Sequence, residues 1–223
     1  MKRSRVNQLI DEAIGVLDRH QIRLPRFAYW SPAEWAAKGP ECNEIRQCKL
    51  GWDVTDFGSD RFEDVGLVVF TLRNGHRTIK PYSNKPYGEK ILLSRENQRT
   101  PMHYHTSKSE DIICKGGGNL LIRLFNRAPA GELADTDVEV SLDGIRHRVS
   151  AGHVLRLEPG DSITLTPLLY HEFWAEPGTG MSIAGEVSSI NDDDNDNAFF
   201  DSPGRFPEIE EDVPATRRLC TEY

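Results

Sequence analysis

The segment Pro101-Met102-His103-Tyr104-His105-Thr106-Ser107-Lys108-Ser109-Glu110 gathers the side chains best able to do chemistry in this chain. In a β-strand, residues two apart face the same side, so His103 and His105 aim their imidazoles at one point. Glu110 reaches that point from the next stretch, and His171, in Pro167-Leu168-Leu169-Tyr170-His171, can add a fourth ligand from a neighbouring strand. This set of imidazoles and one carboxylate suits a borderline divalent ion such as manganese, iron, nickel or zinc, with positions left for substrate oxygens. A His-x-His pair alone is common on surfaces that bind nothing. Glu110, the glycine run Gly116-Gly117-Gly118 and His171 behind Pro159-Gly160 are what turn the pair into a metal motif. His147 and His153 compete with His171, but neither follows a strand-ending proline, and His20 and His76 lie outside the pattern.

The elements that must position these ligands are mostly strands. Leu67-Val68-Val69-Phe70-Thr71-Leu72 is a β-type run, and Asn74-Gly75 after it signals a hairpin. Further short strands are expected at 90–93, 120–124, 138–142, 154–157, 162–165 and 181–187, punctuated by Asp143-Gly144, Ala151-Gly152 and Pro159-Gly160-Asp161. Many short strands without interleaved helices indicate an all-β sandwich or barrel. Helices precede it. Ser4 can cap a helix whose apolar face is Val6, Leu9, Ile10, Ala13, Val16 and Leu17. Ser31-Pro32-Ala33-Glu34 opens a second with a capping box and proline at the first position. The organisation expected is a helical extension over 1–60, a β-barrel over 61–190, and a loop and tail over 191–223 packed on the barrel.

Composition narrows the partners. With 35 acidic against 27 basic residues, the net charge of -8 argues against nucleic acid or anionic lipid. No apolar run approaches the roughly 18 residues of a membrane span. The basic Met1-Lys2-Arg3-Ser4 is not followed by an apolar stretch, so no export signal is read and a cytoplasmic protein is expected. Cys42, Cys48, Cys114 and Cys220 then read as reduced thiols. The acidic run from Asn191 to Asp196 invites a calcium loop starting at Asp192. Its sixth and twelfth positions hold Asn197 and Pro203 instead of glycine and glutamate, which rejects that reading.

His103-x-His105, then Glu110, then glycines and a later strand-end histidine resemble the metal motif of the cupin superfamily. The resemblance implies a double-stranded β-helix, the cupin jelly-roll barrel. The second half-motif departs from the family, which often shows Pro-x-Gly two residues before the histidine; here Pro167 is four before His171 with no glycine between. A narrower resemblance spans nearly the whole chain. Gly51-Trp52-Asp53-Val54-Thr55-Asp56-Phe57-Gly58, the block from His103 to Gly118, Ser141-Leu142-Asp143-Gly144, Gly185-Glu186-Val187-Ser188 and Gly204-Arg205-Phe206-Pro207 are similar to the bacterial D-lyxose isomerase family. That likeness implies a manganese-dependent homodimer, with cobalt, iron, nickel or zinc as substitutes, that interconverts D-lyxose with D-xylulose and D-mannose with D-fructose.

The residues suit such chemistry. Aldose–ketose isomerisation through a cis-enediol needs a base beside C2 and charge stabilisation at the oxygens; a hydride shift is the other route. Lys108 shares the face of Glu110 if the strand stays extended, and a lysine beside a cation would have a lowered pKa suited to proton transfer. Its bland alternative is a solvated rim lysine. Glu186 lies on the face Ser182, Ala184, Glu186, Ser188, where small residues around one carboxylate resemble a pocket wall. Lys90, Asp193 and Arg205 are the candidates for binding hydroxyls of a small neutral sugar. Trp52, Phe173 and Trp174 could stack on a sugar face or belong to the core. The competing functions are an iron-dependent cupin dioxygenase and a non-catalytic sugar-binding cupin; a carboxylate-rich wall with proton-transfer groups favours the isomerase.

Overall fold

The computed structural model describes residues 1–201 and 204–223. Pro203, the residue that ruled out the calcium loop, lies outside them. Helix α1 (Arg3–Arg19) buries Val6, Leu9, Ile10, Ala13, Val16 and Leu17, as the apolar spacing predicts. Ser4, expected as its cap, sits inside the first turn instead. The capping position is Lys2, whose side chain makes no cap bond. The open amides of a first helical turn still need acceptors, and Asp212 from the distant tail supplies one, accepting from Ser4 N at 2.9 Å and Ser4 Oγ at 2.6 Å. Helix α2 (Pro32–Ala36) has the predicted capping box between Ser31 and Glu34, and α3 (Asn43–Gln47) follows.

The strands, in chain order, are β1 (Gly51–Thr55), β2 (Leu67–Arg73), β3 (Tyr87–Ser94), β4 (Thr100–His105), β5 (Glu110–Gly117), β6 (Leu120–Arg127), β7 (Leu133–Ala134), β8 (Val138–Leu142), β9 (Ile145–Val149), β10 (Val154–Leu157), β11 (Ser162–Leu165), β12 (Leu169–Ala175), β13 (Ser182–Ser189) and β14 (Asn197–Phe199). They form two sheets of antiparallel neighbours. The larger runs β1-β2-β3-β13-β5-β11-β8-β9, and the smaller runs β10-β6-β12-β4-β14 with β7 beside β6. This is the all-β double-stranded helix expected. The 1–60 segment carries more than helices and loops, because β1 pairs β2 from Gly51↔Thr71 to Thr55↔Leu67 at the edge of the large sheet. The 191–223 segment likewise supplies β14, paired to β4.

Two cores explain the patterning. Leu67, Val69, Leu92, Ile112, Leu120, Ile122, Leu124 and Ile163 pack between the sheets. Val54, Val68, Phe70, Ile91, Leu93 and Ile183, from the other face of the large sheet, pack under α1. The β2 run is continuously apolar because both its faces are covered. Trp52 belongs to the core under α1, its Nε1 donating to Ala28 O at 2.8 Å, so it does not meet a sugar.

Asn74-Gly75 opens the connection of an antiparallel hairpin, β2 pairing β3, but does not close it as a tight turn. The chain makes an excursion from 74 to 86 before β3 begins, and Asn74 turns its buried side chain to the backbone of Asn191, accepting from its N at 3.0 Å and donating to its O at 2.9 Å. The glycine run is also reassigned. Gly117 ends β5, seven positions from Glu110, roughly 20 Å along an extended strand. It lets β5 close on β13: with φ +72, a Cβ there would stand 2.1 Å from Met181 O.

Candidate metal centre and acid–base pair

The barrel mouth is built from both sheets. β4 alternates its burial and turns His103 and His105 inward. His171 on β12 lies directly opposite His103 in the pairing of those strands. Glu110 opens β5 in the other sheet, where Lys90 on β3 and Glu186 on β13 are paired opposite each other. Loops 106–109 and 190–196 close the mouth. The cavity so formed is lined by Lys90, His103, His105, Lys108, Glu110, Phe173, Glu186, Asp193 and Arg205, with Phe57, Asn197 and Phe199 among its further walls. All nine candidate site residues therefore meet: eight line the cavity, and His171, 1% exposed, stands behind it.

One ligating nitrogen from each of His103, His105 and His171 lies within 4.8 Å of the others. His103 Nδ1 sits 2.8 Å from Pro101 O, and His171 Nδ1 sits 3.0 Å from Leu169 O. Donation to those carbonyls fixes the tautomer that leaves Nε2 free to bind a metal. Burial, reinforced by the neighbouring imidazoles, holds His103 well below the usual histidine range, and burial likewise lowers His105 despite Glu110, so both stand neutral as ligands must. Glu110 Oε1 approaches His105 Nε2 at 3.3 Å and His171 Nε2 at 3.2 Å, the latter without hydrogen-bonding alignment. Burial pushes the Glu110 carboxyl up, but Lys108 and His105 outweigh it and hold the group well below the carboxylate range.

Lys108 is 2% exposed, with Nζ 2.5 Å from Glu110 Oε2, 2.8 Å from Glu186 Oε1 and 3.4 Å from Asn191 Oδ1. It is no rim lysine. The chain between His105 and Glu110 is a turn, not an extended strand, and it folds the ammonium back between two carboxylates. In the metal-free protein burial favours the neutral amine, yet Glu110, Glu186 and Asp193 together raise its pKa; the lowering expected of a bound cation acts against these carboxylates. Lys108 is thus a held ammonium. Glu186 also accepts from Ser188 Oγ at 3.0 Å, on the small-residue face predicted for it.

Lys90 and Asp193 pair at 3.3 Å, and Arg205 Nη2 lies 2.5 Å from Asp53 Oδ2 and 3.7 Å from Asp193 Oδ2. Arg205 Nη1 is buried without a hydrogen-bond partner among the described residues, a donor that could serve a ligand. Around the cavity the three cations Lys90, Lys108 and Arg205 face the four carboxylates of Asp53, Glu110, Glu186 and Asp193. Neutral imidazole donors beside this excess of buried negative charge fit a divalent cation. Of the aromatic candidates, Phe173 lines the cavity, while Trp174 turns outward under the guanidinium of Arg99, 3.2 Å from its ring centre. Sequence reasoning passed over Asp53, Thr100 and Asp196. The signal for Asp53 was a charged residue in a five-residue strand buried at every position. Thr100, whose buried Oγ1 has no hydrogen-bond partner among the described residues, carried no signal.

Fold and site define the class as a cupin-like barrel with a candidate metal centre at its mouth, and the solved structures agree on the fold. L-ribose isomerase of Cellulomonas parahominis superposes with TM-score 0.60 at 13% identity, covering 94% of this chain and 98% of that one. L-ribose isomerase of Acinetobacter sp. DL28, in complex with L-ribose, gives TM-score 0.60 at 12% identity over 93% and 98%. A sequence profile of the D-lyxose isomerase family matches residues 1–223, and the chain belongs to that family. Relatives named D-lyxose/D-mannose isomerase share 51% identity in Serratia proteamaculans and 48% in Escherichia coli O157:H7, each covering 100% of this chain and 98% of the relative.

Proposed function

We propose that this protein interconverts D-lyxose and D-xylulose, and D-mannose and D-fructose, through a cis-enediol of the open-chain sugar. The observation that carries the reading is the Glu186–Lys108 pair, a buried carboxylate and ammonium 2.8 Å apart beside the histidine cluster. In the proposed roles, His103, His105, Glu110 and His171 hold a divalent ion, manganese first among the candidates. Such an ion, when bound, polarises the oxygens on C1 and C2 and stabilises their developing negative charge. The Glu186 carboxylate takes the carbon proton and returns it to the neighbouring carbon, its Oε1 being held by Lys108 and Ser188. Lys108 Nζ holds Glu186 in place by ion pairing and donates a hydrogen bond to a sugar oxygen. Lys90, Asp193 and Arg205 Nη1 receive the remaining hydroxyls, and a neutral sugar needs no basic steering surface. D-Mannose shares the configuration of D-lyxose at C2, C3 and C4, so one site geometry serves both.

The donor set also fits the iron of a dioxygenase, and binding alone would need no base; the buried acid–base pair favours isomerisation over both. A cytoplasmic homodimer belongs to the same proposal, supported by the family likeness and by four buried, unpaired cysteines that suit a reducing compartment. The test is a panel of aldoses assayed for ketose after chelation and again after manganese is restored. Activity on D-lyxose and D-mannose that vanishes on chelation and returns with metal is expected, with solvent deuterium entering the product. Full activity after chelation refutes the metal centre, and solvent deuterium on the product carbon excludes the hydride shift.

A further inference from the structure

Three successive backbone amides link the candidate ligand His105 to Lys108, and all three donate to one residue. Thr106 N reaches Asp196 O at 3.0 Å, Ser107 N reaches Asp196 Oδ1 at 2.8 Å, and Lys108 N reaches Asp196 Oδ2 at 3.1 Å. The Ser107 hydroxyl adds a bond to Oδ1 at 2.7 Å. Asp196 is only 5% exposed, and the cation beside it, Arg77 Nη2, is 3.9 Å away on a half-exposed side chain that also donates to Ser107 Oγ at 2.6 Å. The other carboxylates of its acidic run serve elsewhere: Asp193 faces Lys90, and Asp194 pairs with Lys49 at the surface.

The three imidazoles are not equivalent. His103 and His171 have backbone carbonyls for Nδ1, whereas His105 Nδ1 is buried with no hydrogen-bond partner among the described residues. The group it faces is Asp196 Oδ2, at 4.0 Å. A carboxylate on the far nitrogen of a ligating histidine orients the ring and increases its basicity.

We propose that Asp196 is a positioning residue that sets His105 and Lys108 with one carboxylate, braced on the 106–108 turn and serving as the outer partner of His105. The second role rests on the reading of His105 as a metal ligand; the first does not. Only a carboxylate suits both, because an amide in its place keeps one acceptor oxygen and turns an NH2 toward a backbone donor or the imidazole.

Asp196→Asn is the test, read by chelator competition for the metal, by steady-state kinetics at saturating metal, and by hydrogen exchange of the metal-free protein. The expected result is metal binding weakened by about 10- to 100-fold, kcat lowered with KM nearly unchanged, and faster exchange at the amides of Ser107 and Lys108, while Thr106, bonded to the main-chain oxygen of Asp196, changes least. Ser107→Ala, which leaves the carboxylate and its bonds to the amides in place, should keep wild-type metal affinity. If Asp196→Asn does not fold, Asp196→Ala removes both carboxylate oxygens without setting a donor against the amides and carries the same measurements. Wild-type metal affinity together with wild-type amide exchange in the variant overturns the proposal. A wild-type protein that binds no metal defeats the metal-centre reading instead, and exchange at the Ser107 and Lys108 amides then decides the bracing role.

Discussion

Replacing Lys108 by methionine removes the ammonium while keeping an unbranched side chain of similar length. Nζ lies 2.5 Å from Glu110 Oε2 and 2.8 Å from Glu186 Oε1, and none of these side chains is more than 6% exposed. The substitution therefore strands two carboxylates in a site with little water. Breaking a buried pair by removing one partner costs about 3–5 kcal/mol. For a chain of this size each kcal/mol moves Tm by roughly 2–4 °C, so metal-free Lys108→Met should melt about 6–20 °C below wild type. Glu186→Gln added to it removes one stranded charge and should recover roughly 0.5–3 kcal/mol as a coupling term. Activity behaves differently: the single and double variants should both lose at least about 100-fold, the scale of a lost acid–base contribution. Thermal unfolding of the four metal-free proteins of the cycle, with ketose formation measured after metal loading, reads both quantities. A single variant that melts within a degree of wild type, or a double variant no more stable than the single, refutes the claim that Lys108 is held by burial between two charges.

Arg205→Lys keeps the charge but loses the fork that reaches Asp53 with one nitrogen and leaves Nη1 for a ligand; KM for D-lyxose should rise about tenfold with thermal stability little changed, a loss of about 1.4 kcal/mol of binding. Gly117→Ala should lower Tm strongly and leave the metal affinity of the folded fraction intact, because its Cβ would meet Met181 O at 2.1 Å at the end of β5 far from Glu110. Asp212→Ala should lower Tm slightly and leave kcat/KM unchanged, since that carboxylate serves Ser4 and not the cavity.

Much of this arrangement could be read in the chain because it rests on short-range periodicity. The two-residue spacing of His103 and His105, the alternating face around Glu186 and the helical spacing of α1 each follow from one element's geometry. What escaped was set by partners far away in sequence. Ser4 is a good local cap, but the acceptor at the start of α1 comes from Asp212. Asn74-Gly75 has the composition of a tight hairpin turn, yet Asn74 is spent on the backbone of Asn191. The Lys108 pKa was argued from the cation alone, while the carboxylates that surround it arrive on β5, β13 and the loop beyond. Asp193 was separable from its acidic neighbours only as a guess, and Asp196 not at all, because which aspartate points inward depends on how the loop between β13 and β14 is pinned.

The tail adds an order of events to this design. Arg205 enters the cavity, Glu208 O accepts from the Met1 amine, Glu211 and Glu222 both hold Arg3, and Cys220 N reaches Trp52 O. A ribosome delivers these residues after every strand of the barrel, and domains begin to fold as they emerge. A nascent chain that has just released β14 could already gather its imidazoles, but it would lack both Arg205 and the bonds that anchor α1. The growing polypeptide can thus assemble its three histidines before Arg205 arrives beside Asp53, and the first turn of the first helix waits for Glu211 and Asp212 to be translated.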